Sequence, residues 1–178
     1  MPKRASRKPR PPKELAKWVE RAVELGATDA KIIPANEVYT AAWVRLKCQF
    51  GCGGYGDKLT CPPYSPTPEQ TAQVIACYDW ALLTHMDEWR ELRDFVVDLE
   101  REVFLDGNYK ALGFSAGGCT ICKECNVPGP CRHGDRARPS MEAAGIDVFA
   151  TARKAGFPIE VVMDYDCRQN YYGLILIR

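Results

Sequence analysis

Nine cysteines in a chain of 178 residues are the feature that most limits how this sequence can fold. Their number is odd, and the N-terminal sequence MPKRASRKPRPP lacks the apolar stretch of a secretion signal. We therefore expect a cytoplasmic protein. Because that compartment keeps thiols reduced, the cysteines are expected to serve metal binding or redox chemistry and not a disulfide framework.

Four of the cysteines follow one another with the spacing C-x2-C-x2-C-x5-C. Thiolates at such short intervals can point inward from one tight loop, and the spacing of the first three cysteines matches that of the bacterial ferredoxin run. This spacing favours a [4Fe-4S] cluster. Structural zinc, which usually uses two well-separated C-x2-C pairs, is the alternative. The predicted ligands are Cys119, Cys122, Cys125 and Cys131.

A second set, Cys48, Cys52 and Cys61, has the spacing C-x3-C-x8-C. Three thiolates can hold a second [4Fe-4S] cluster and leave one iron open to another ligand, with zinc or simple thiols as the alternatives. Cys167, in a polar turn, is a candidate fourth ligand. Cys77 lies in an apolar helical pattern and is expected to be a small core residue.

Other polar side chains near the cysteines have a structural and a functional interpretation. Arg132 and His133 are expected to be solvated, although a positive charge or a proton there would also couple to a cluster. Glu142 is expected in a helical turn, and its functional alternative is a general acid beside an open iron. His85, which ends an apolar strand, is expected to be hydrogen-bonded within the fold.

Apolar periodicity predicts helices and short strands in alternation. The chain is therefore expected to be a single α/β or α+β domain over residues 13–178, with a mixed sheet, flanking helices and inserted cysteine-rich loops. The segment 38–46 suits a helix or a strand. The predicted helices are 13–25, 67–77, 87–105 and 147–156, and the predicted strands are 30–33, 80–83, 110–114 and a hairpin of 159–163 with 171–177.

Charge is distributed unevenly along the chain. The first 13 residues hold six of the 24 Lys and Arg residues and no acid, so the rest of the chain is acidic overall. Residues 1–12 are expected to form a flexible basic tail, with contact to nucleic acid as the alternative role. The longest apolar run, from Tyr171 to Ile177, is far shorter than the ~18 residues of a membrane span, so no membrane association is expected.

Three segments resemble a family of cysteine-rich predicted metal-binding proteins that is widespread in anaerobic and methanogenic prokaryotes. The resemblance implies metal, specifically iron-sulfur, at the matched cysteines. The segments are Cys52-Gly-Gly-Tyr-Gly with Cys61-Pro-Pro, Ala116-Gly-Gly-Cys119-x2-Cys122-x2-Cys125 with Cys131-Arg132, and the run from Arg138 to Asp147.

Two centres in one small domain would lie close enough to exchange electrons, so we expect electron transfer to a redox partner protein. The first alternative is an enzyme in which the three-cysteine cluster binds a substrate or sulfide at its open iron. The second is a zinc-stabilised interaction module that uses the basic tail to bind nucleic acid.

Overall fold

A four-stranded antiparallel sheet forms the centre of the molecule. The computed structural model describes residues 10–88, 92–164 and 166–178. Neighbouring strands of the sheet lie in the order β1-β2-β4-β3, and all three pairings are antiparallel. The mixed sheet expected from the sequence is therefore purely antiparallel. The strands are β1 (Asp29–Pro34), β2 (Trp80–Met86), β3 (Leu112–Phe114) and β4 (Tyr171–Leu176).

Helices alternate with these strands, as the sequence predicted. The described helices are α1 (Ala16–Glu24), α2 (Ala42–Gly51), α3 (Pro68–Ile75), α4 (Leu92–Leu105) and α5 (Val148–Ala155), with 3-10 turns at Lys13–Leu15 and Ala35–Glu37. None of the described helices has the length and apolar character needed to span a membrane. Trp89, part of the predicted α4 stripe, and residues 1–9 of the predicted tail lie outside the described residues.

Both faces of the sheet are covered by apolar side chains. Adjacent residues of β2, Leu82 and Leu83, point to opposite faces, as successive strand residues must. On the Leu82 side the sheet packs against α1 and α4, including Trp18 and Val96. On the Leu83 side it packs against α5 and a buried turn around Ile146. The mixed helix and strand architecture of the prediction is thus confirmed.

One predicted pairing is wrong. Residues 159–163 do not form a hairpin with β4, because β2 occupies one edge of β4 and β3 occupies the other. The segment instead runs as an irregular stretch with Val161, Val162 and Met163 exposed. Its branched residues suited a strand, but the sheet offers no free edge of β4 to pair with it.

The close approach of α4 to β4 yields a stability prediction. A β-carbon added at Gly173 would lie 2.7 Å from Val96 Cγ2 and 3.0 Å from Thr84 Oγ1. We expect Gly173→Ala to lower the free energy of unfolding by about 1–3 kcal/mol, because a packed core resists an added carbon. Urea denaturation followed by circular dichroism measures this change.

Gly134, with no neighbouring atom within 4 Å of the added carbon, is the control. There, substitution by Ala should change stability by less than ~0.5 kcal/mol, and equal effects at both glycines would contradict the packing.

Candidate metal centre

The four cysteines of the C-x2-C-x2-C-x5-C set line a single small cavity in the loop that follows β3. The open volume between them is about 20 Å³, room for roughly one water-sized atom. Lys58 and His133 line the same cavity. The loop thus brings together the four residues that the sequence predicted as one ligand set: Cys119, Cys122, Cys125 and Cys131.

Arginine side chains fasten this loop to α4. Arg136 donates hydrogen bonds to Asp94 at 2.8 Å and to Asp98 at 3.0 Å. Arg138 forms a two-pronged contact with the carboxylate of Glu100, at 2.7 and 2.8 Å. Hydrogen bonds from Arg93, which is the larger cause, and from Arg136 lower the pKa of Asp94. Three carboxylates of α4 therefore hold the end of the loop in place.

Polar contacts also close the turn between Cys125 and Cys131. The Asn126 side-chain amide donates to the Pro130 carbonyl at 2.9 Å, and Arg132 donates to the Asn126 side-chain oxygen at 3.1 Å. A β-carbon at Gly129 would lie 2.7 Å from Asn126 Nδ2, so the turn is tightly packed. Arg132 is therefore engaged in the loop as well as being exposed to solvent.

The three cysteines of the other set are placed by the end of α2 and by the loop after it. Cys48 lies in the last turns of α2, Cys52 follows the helix directly, and the chain then turns through residues 53–60 to Cys61. Helical spacing of four places Cys48 and Cys52 on the same side. All three line one cavity of about 210 Å³, so the structure brings this predicted set together too.

Hydrogen bonds fix the turn that carries Cys61. Gly56 adopts a positive φ of 83°, which favours glycine, and its amide donates to the Pro62 carbonyl at 2.9 Å. Arg45, on α2, donates to the carbonyls of Pro63 and Pro66 at 3.1 and 3.3 Å. The helix that carries Cys48 is thereby tied to the loop that carries Cys61.

The thiols of the three-cysteine set are electrostatically poised for a cation. Burial is the main cause that raises the pKa of Cys48 and of Cys61, and the nearby Cys52 raises both pKa values further. The thiolates of Cys48 and Cys61 are therefore unfavourable unless a positive charge lies beside them. A bound metal supplies that charge and stabilises the deprotonated form.

The two cysteine sets are neighbours. Lys58 lines both cavities, and the Leu59 amide donates a hydrogen bond to Cys125 Sγ at 3.4 Å. Cys119 is close enough to Cys61 to contribute to its raised pKa. The segment 58–61 thus contacts both sets, although 57 residues lie between Cys61 and Cys119 in the sequence.

Glu142 lines the three-cysteine cavity, and its charge raises the pKa of Cys48. Its side chain is exposed at the cavity, and desolvation by the surrounding protein atoms raises the pKa of Glu142. The sequence indicated for Glu142 only a place in a helical turn or a role as a general acid. The signal that marks it is its acidic charge within the run Ser140-Met-Glu-Ala-Ala-Gly-Ile146, in which it is the one charged residue.

A cleft of about 430 Å³ opens beside the three-cysteine cavity. It shares Cys48, Cys52 and Glu142 with that cavity. Apolar side chains dominate the rest of its wall. They include Trp43, Val44, Phe149, Val161, Val162 and Tyr171. The irregular segment 159–163, predicted as a strand, therefore forms one side of this cleft.

The remaining predicted residues lie away from both cavities. Cys77 is exposed and lies two residues after the end of α3 at Ile75, so its prediction as a core residue is wrong. Its thiol donates to the Gln73 carbonyl at 3.4 Å. Cys167 lines neither cavity, and its amide donates to Asp164 within its own turn. His85 is buried, hydrogen-bonds Asn170 at 2.8 Å and stacks on Tyr172, as expected of a structural histidine.

Over the described ranges 10–88, 92–164 and 166–178, no group of three or more His, Cys, Asp or Glu side chains is arranged to hold a single metal ion. The family model described as "Predicted metal-binding protein (DUF2284)" matches residues 31–177 of the chain. That range includes every residue of both cysteine sets. No curated protein and no solved structure matches the chain significantly.

Metal loading should protect both cysteine sets from alkylation. We expect N-ethylmaleimide to modify their thiols at least about tenfold more slowly after anaerobic reconstitution, because a coordinated thiolate is not free to attack. Mass spectrometry of peptides from timed reactions measures each site. The exposed Cys77 is the internal control and should react equally in both forms. Equal reaction rates of Cys122 with and without metal would contradict the assignment of the four-cysteine loop.

Proposed function

The chain belongs to the DUF2284 family of predicted metal-binding proteins, and from this membership we propose that it is an iron-sulfur protein that transfers electrons to a partner enzyme. The proposed cofactors are two [4Fe-4S] clusters. Cys119, Cys122, Cys125 and Cys131 hold the first, and Cys48, Cys52 and Cys61 hold the second. Such clusters supply one-electron carriers whose potential is set by charge, hydrogen bonds and solvent exposure.

The donor chemistry of both cavities suits this cofactor. Four thiols around one cavity are the usual ligand set of a cubane, and thiolates are the soft ligands that iron-sulfur clusters take. The volume now enclosed by the four-cysteine loop is small, so uptake of a cluster requires the loop to open outward. The glycines at 117 and 118 precede Cys119 and give that end of the loop its conformational freedom.

The proximity of the two sets is the observation that carries electron transfer. The Leu59 amide reaches the Cys125 sulfur, while Cys61, two residues further on, belongs to the other set. An electron would therefore pass between centres joined by one short stretch of backbone. A protein that held a single structural ion would have no use for a second thiol set in contact with the first.

Groups of this chain also adjust the charge at the two centres. Lys58 lines both cavities, and its positive charge would offset the negative charge that thiolates and sulfides bring. The Leu59 amide favours the more negative, reduced state of the cluster on Cys125, because a hydrogen bond to sulfur stabilises negative charge. Both contacts favour uptake of an electron.

The cleft beside the three-cysteine cavity favours a second candidate function. At about 430 Å³ it has the size and apolar lining of small-molecule sites, and two cysteines of that set also line it. In this candidate the protein is an enzyme that binds a small substrate or sulfide at the iron without a thiolate ligand. The side chains of the cleft would position that molecule and exclude water.

Metal and sulfide analysis tests the proposal directly. We expect anaerobically isolated protein to contain about eight iron atoms and eight acid-labile sulfides per chain, the content of two cubanes. Iron is determined by mass spectrometry and sulfide by a colorimetric assay. About one zinc per chain and no sulfide would reject the clusters and leave a zinc-stabilised module in their place.

Single cysteine variants separate the two centres. Cys122→Ala and Cys52→Ala should each reduce the iron content by about half, because each removes one cluster and leaves the other. Electron paramagnetic resonance of the reduced proteins should show the loss of magnetic coupling between the clusters in both variants. Cys77→Ala, at an exposed thiol outside both sets, is the matched control and should keep the full iron content. Full iron content in Cys122→Ala would exclude that residue as a ligand.

A further inference from the structure

We propose that the carboxylate of Glu142 is the fourth protein ligand of the three-cysteine cluster, at the iron that Cys48, Cys52 and Cys61 leave without a thiolate. This inference rests on the proposed cluster at those cysteines. It assigns to Glu142 a role as a ligand, different from the proton donor that the sequence suggested.

The first observation is placement. The three thiols and Glu142 line the same cavity of about 210 Å³, and among the described residues Glu142 is the one acidic side chain that does so. Its charge acts directly on Cys48. A cubane has four iron corners, so a cavity with three thiols and one carboxylate has a ligand for each corner.

The second observation is the orientation of Glu142 within its turn. Its neighbours face the protein interior, with Met141 and Ala144 each 0% exposed and Ser140 and Ala143 each 5% exposed. Glu142 alone in this stretch is exposed, and it faces the cavity. The turn therefore inserts its other side chains into the core and presents one carboxylate to the cysteines.

The third observation is how firmly the turn is held. The Met141 amide donates to the Ser115 carbonyl at 2.9 Å, which ties the turn to the residue after β3. Gly145 has a φ of 77°, and a β-carbon there would lie 2.5 Å from Pro68 Cγ, so the turn packs directly against the start of α3. A ligand presented from such a turn needs little ordering when the cluster binds.

The turn and the Cys61 loop are also joined to each other. The Ser65 amide donates to the Cys61 carbonyl at 3.0 Å, and the Ser65 hydroxyl donates to the Ala143 carbonyl at 2.6 Å. Ser65 is buried, so these bonds are shielded from water. One serine therefore links Cys61 to the residue next to Glu142, which keeps the thiol and the carboxylate in register.

The alternative ligands are less well placed. Cys77 and Cys167 do not line the cavity. The Ser140 hydroxyl oxygen accepts the Ala143 amide at 3.0 Å, and Lys58 is a cation. Tyr55 is the remaining oxygen donor, but a phenol ionises about six pH units above a carboxyl group in water.

A carboxylate at this corner makes the position exchangeable. Iron in a cluster prefers soft thiolate ligands, so a hard carboxylate oxygen is displaced more readily than a cysteine. The cleft of about 430 Å³ reaches the same carboxylate, so a small ligand from solution has a path to that iron. In the exchange one iron–oxygen bond breaks, one iron–ligand bond forms, and no electron is transferred.

Cyanide binding to the reconstituted full-length protein tests the assignment. The readout is the change in the electron paramagnetic resonance signal of one cluster as cyanide is added. Replacing Glu142 by Ala removes a competitor for the iron, so we expect Glu142→Ala to raise the cyanide affinity at least about tenfold, or ~1.4 kcal/mol. Glu142→Cys supplies a fourth thiolate and should make the cluster insensitive to cyanide. Glu20→Ala, which removes an exposed carboxylate on α1 that lines neither the cavity nor the cleft, is the matched control and should bind cyanide like the wild type.

A second measurement does not depend on whether the variants fold. Wild-type protein is produced in cells supplied with ¹³C-labelled glutamate. Pulsed electron paramagnetic resonance of this protein should detect ¹³C coupled to the three-cysteine cluster. The absence of that coupling would overturn the proposal, as would an unchanged cyanide affinity in Glu142→Ala. A raised affinity in Tyr55→Phe in place of Glu142→Ala would move the assignment to Tyr55. Wild-type protein without iron would instead reject the proposed function itself, and this inference with it.

Discussion

Cysteine-rich loops that contain few apolar residues must be anchored to a core built elsewhere, and this constraint governs the whole structure. Here the anchors are polar. Glu100, on α4, accepts hydrogen bonds from the Gly113 amide of β3 at 2.9 Å and from the guanidinium group of Arg138 in the loop. A single buried carboxylate therefore joins a helix, a strand and the end of the four-cysteine loop. The ion pair of Arg138 with Glu100 fixes the position of the loop more than it stabilises the fold. The cost of removing both charges from water offsets most of their attraction. The packed sheet stabilises the fold, and these polar contacts hold the cysteine-bearing loop in a fixed position against it.

Local signals in the sequence predicted much of the fold. Thr67 caps α3 in a reciprocal capping box with Gln70, and Asp147 accepts the Ala150 amide at the start of α5. These signals work because each depends on residues only three positions apart. The pairing of β4 was predicted wrongly for the opposite reason. Its partners lie far away in the chain, and nothing in residues 159–163 reveals that both edges of β4 are already occupied.

The candidate site, like the fold, could be predicted from the sequence only in part. Spacing alone predicted two sets of cysteines, and each set lines one cavity, since residues three to nine positions apart in a tight loop cannot lie far from each other. Spacing could not show that the sets adjoin, because the contact of Leu59 with Cys125 depends on how two loops cross over the core. It also misplaced Cys77, whose helical pattern continued in sequence beyond the end of α3. The possible role of Glu142 as a ligand could be inferred only from the structure, which shows that the other residues of its turn are buried.

The two sites differ in a way that suits different tasks. Four thiols around a nearly closed cavity form a complete ligand set, so a cofactor there would keep its coordination while its charge changes. Three thiols beside a wide apolar cleft form an incomplete set that a molecule from solution can reach. If both sites hold the proposed clusters, the contact through residues 58–61 would give the three-cysteine site a nearby electron donor or acceptor. That arrangement unites the two candidate functions: the same contact that would carry electrons to a partner would also supply them to chemistry at the open site.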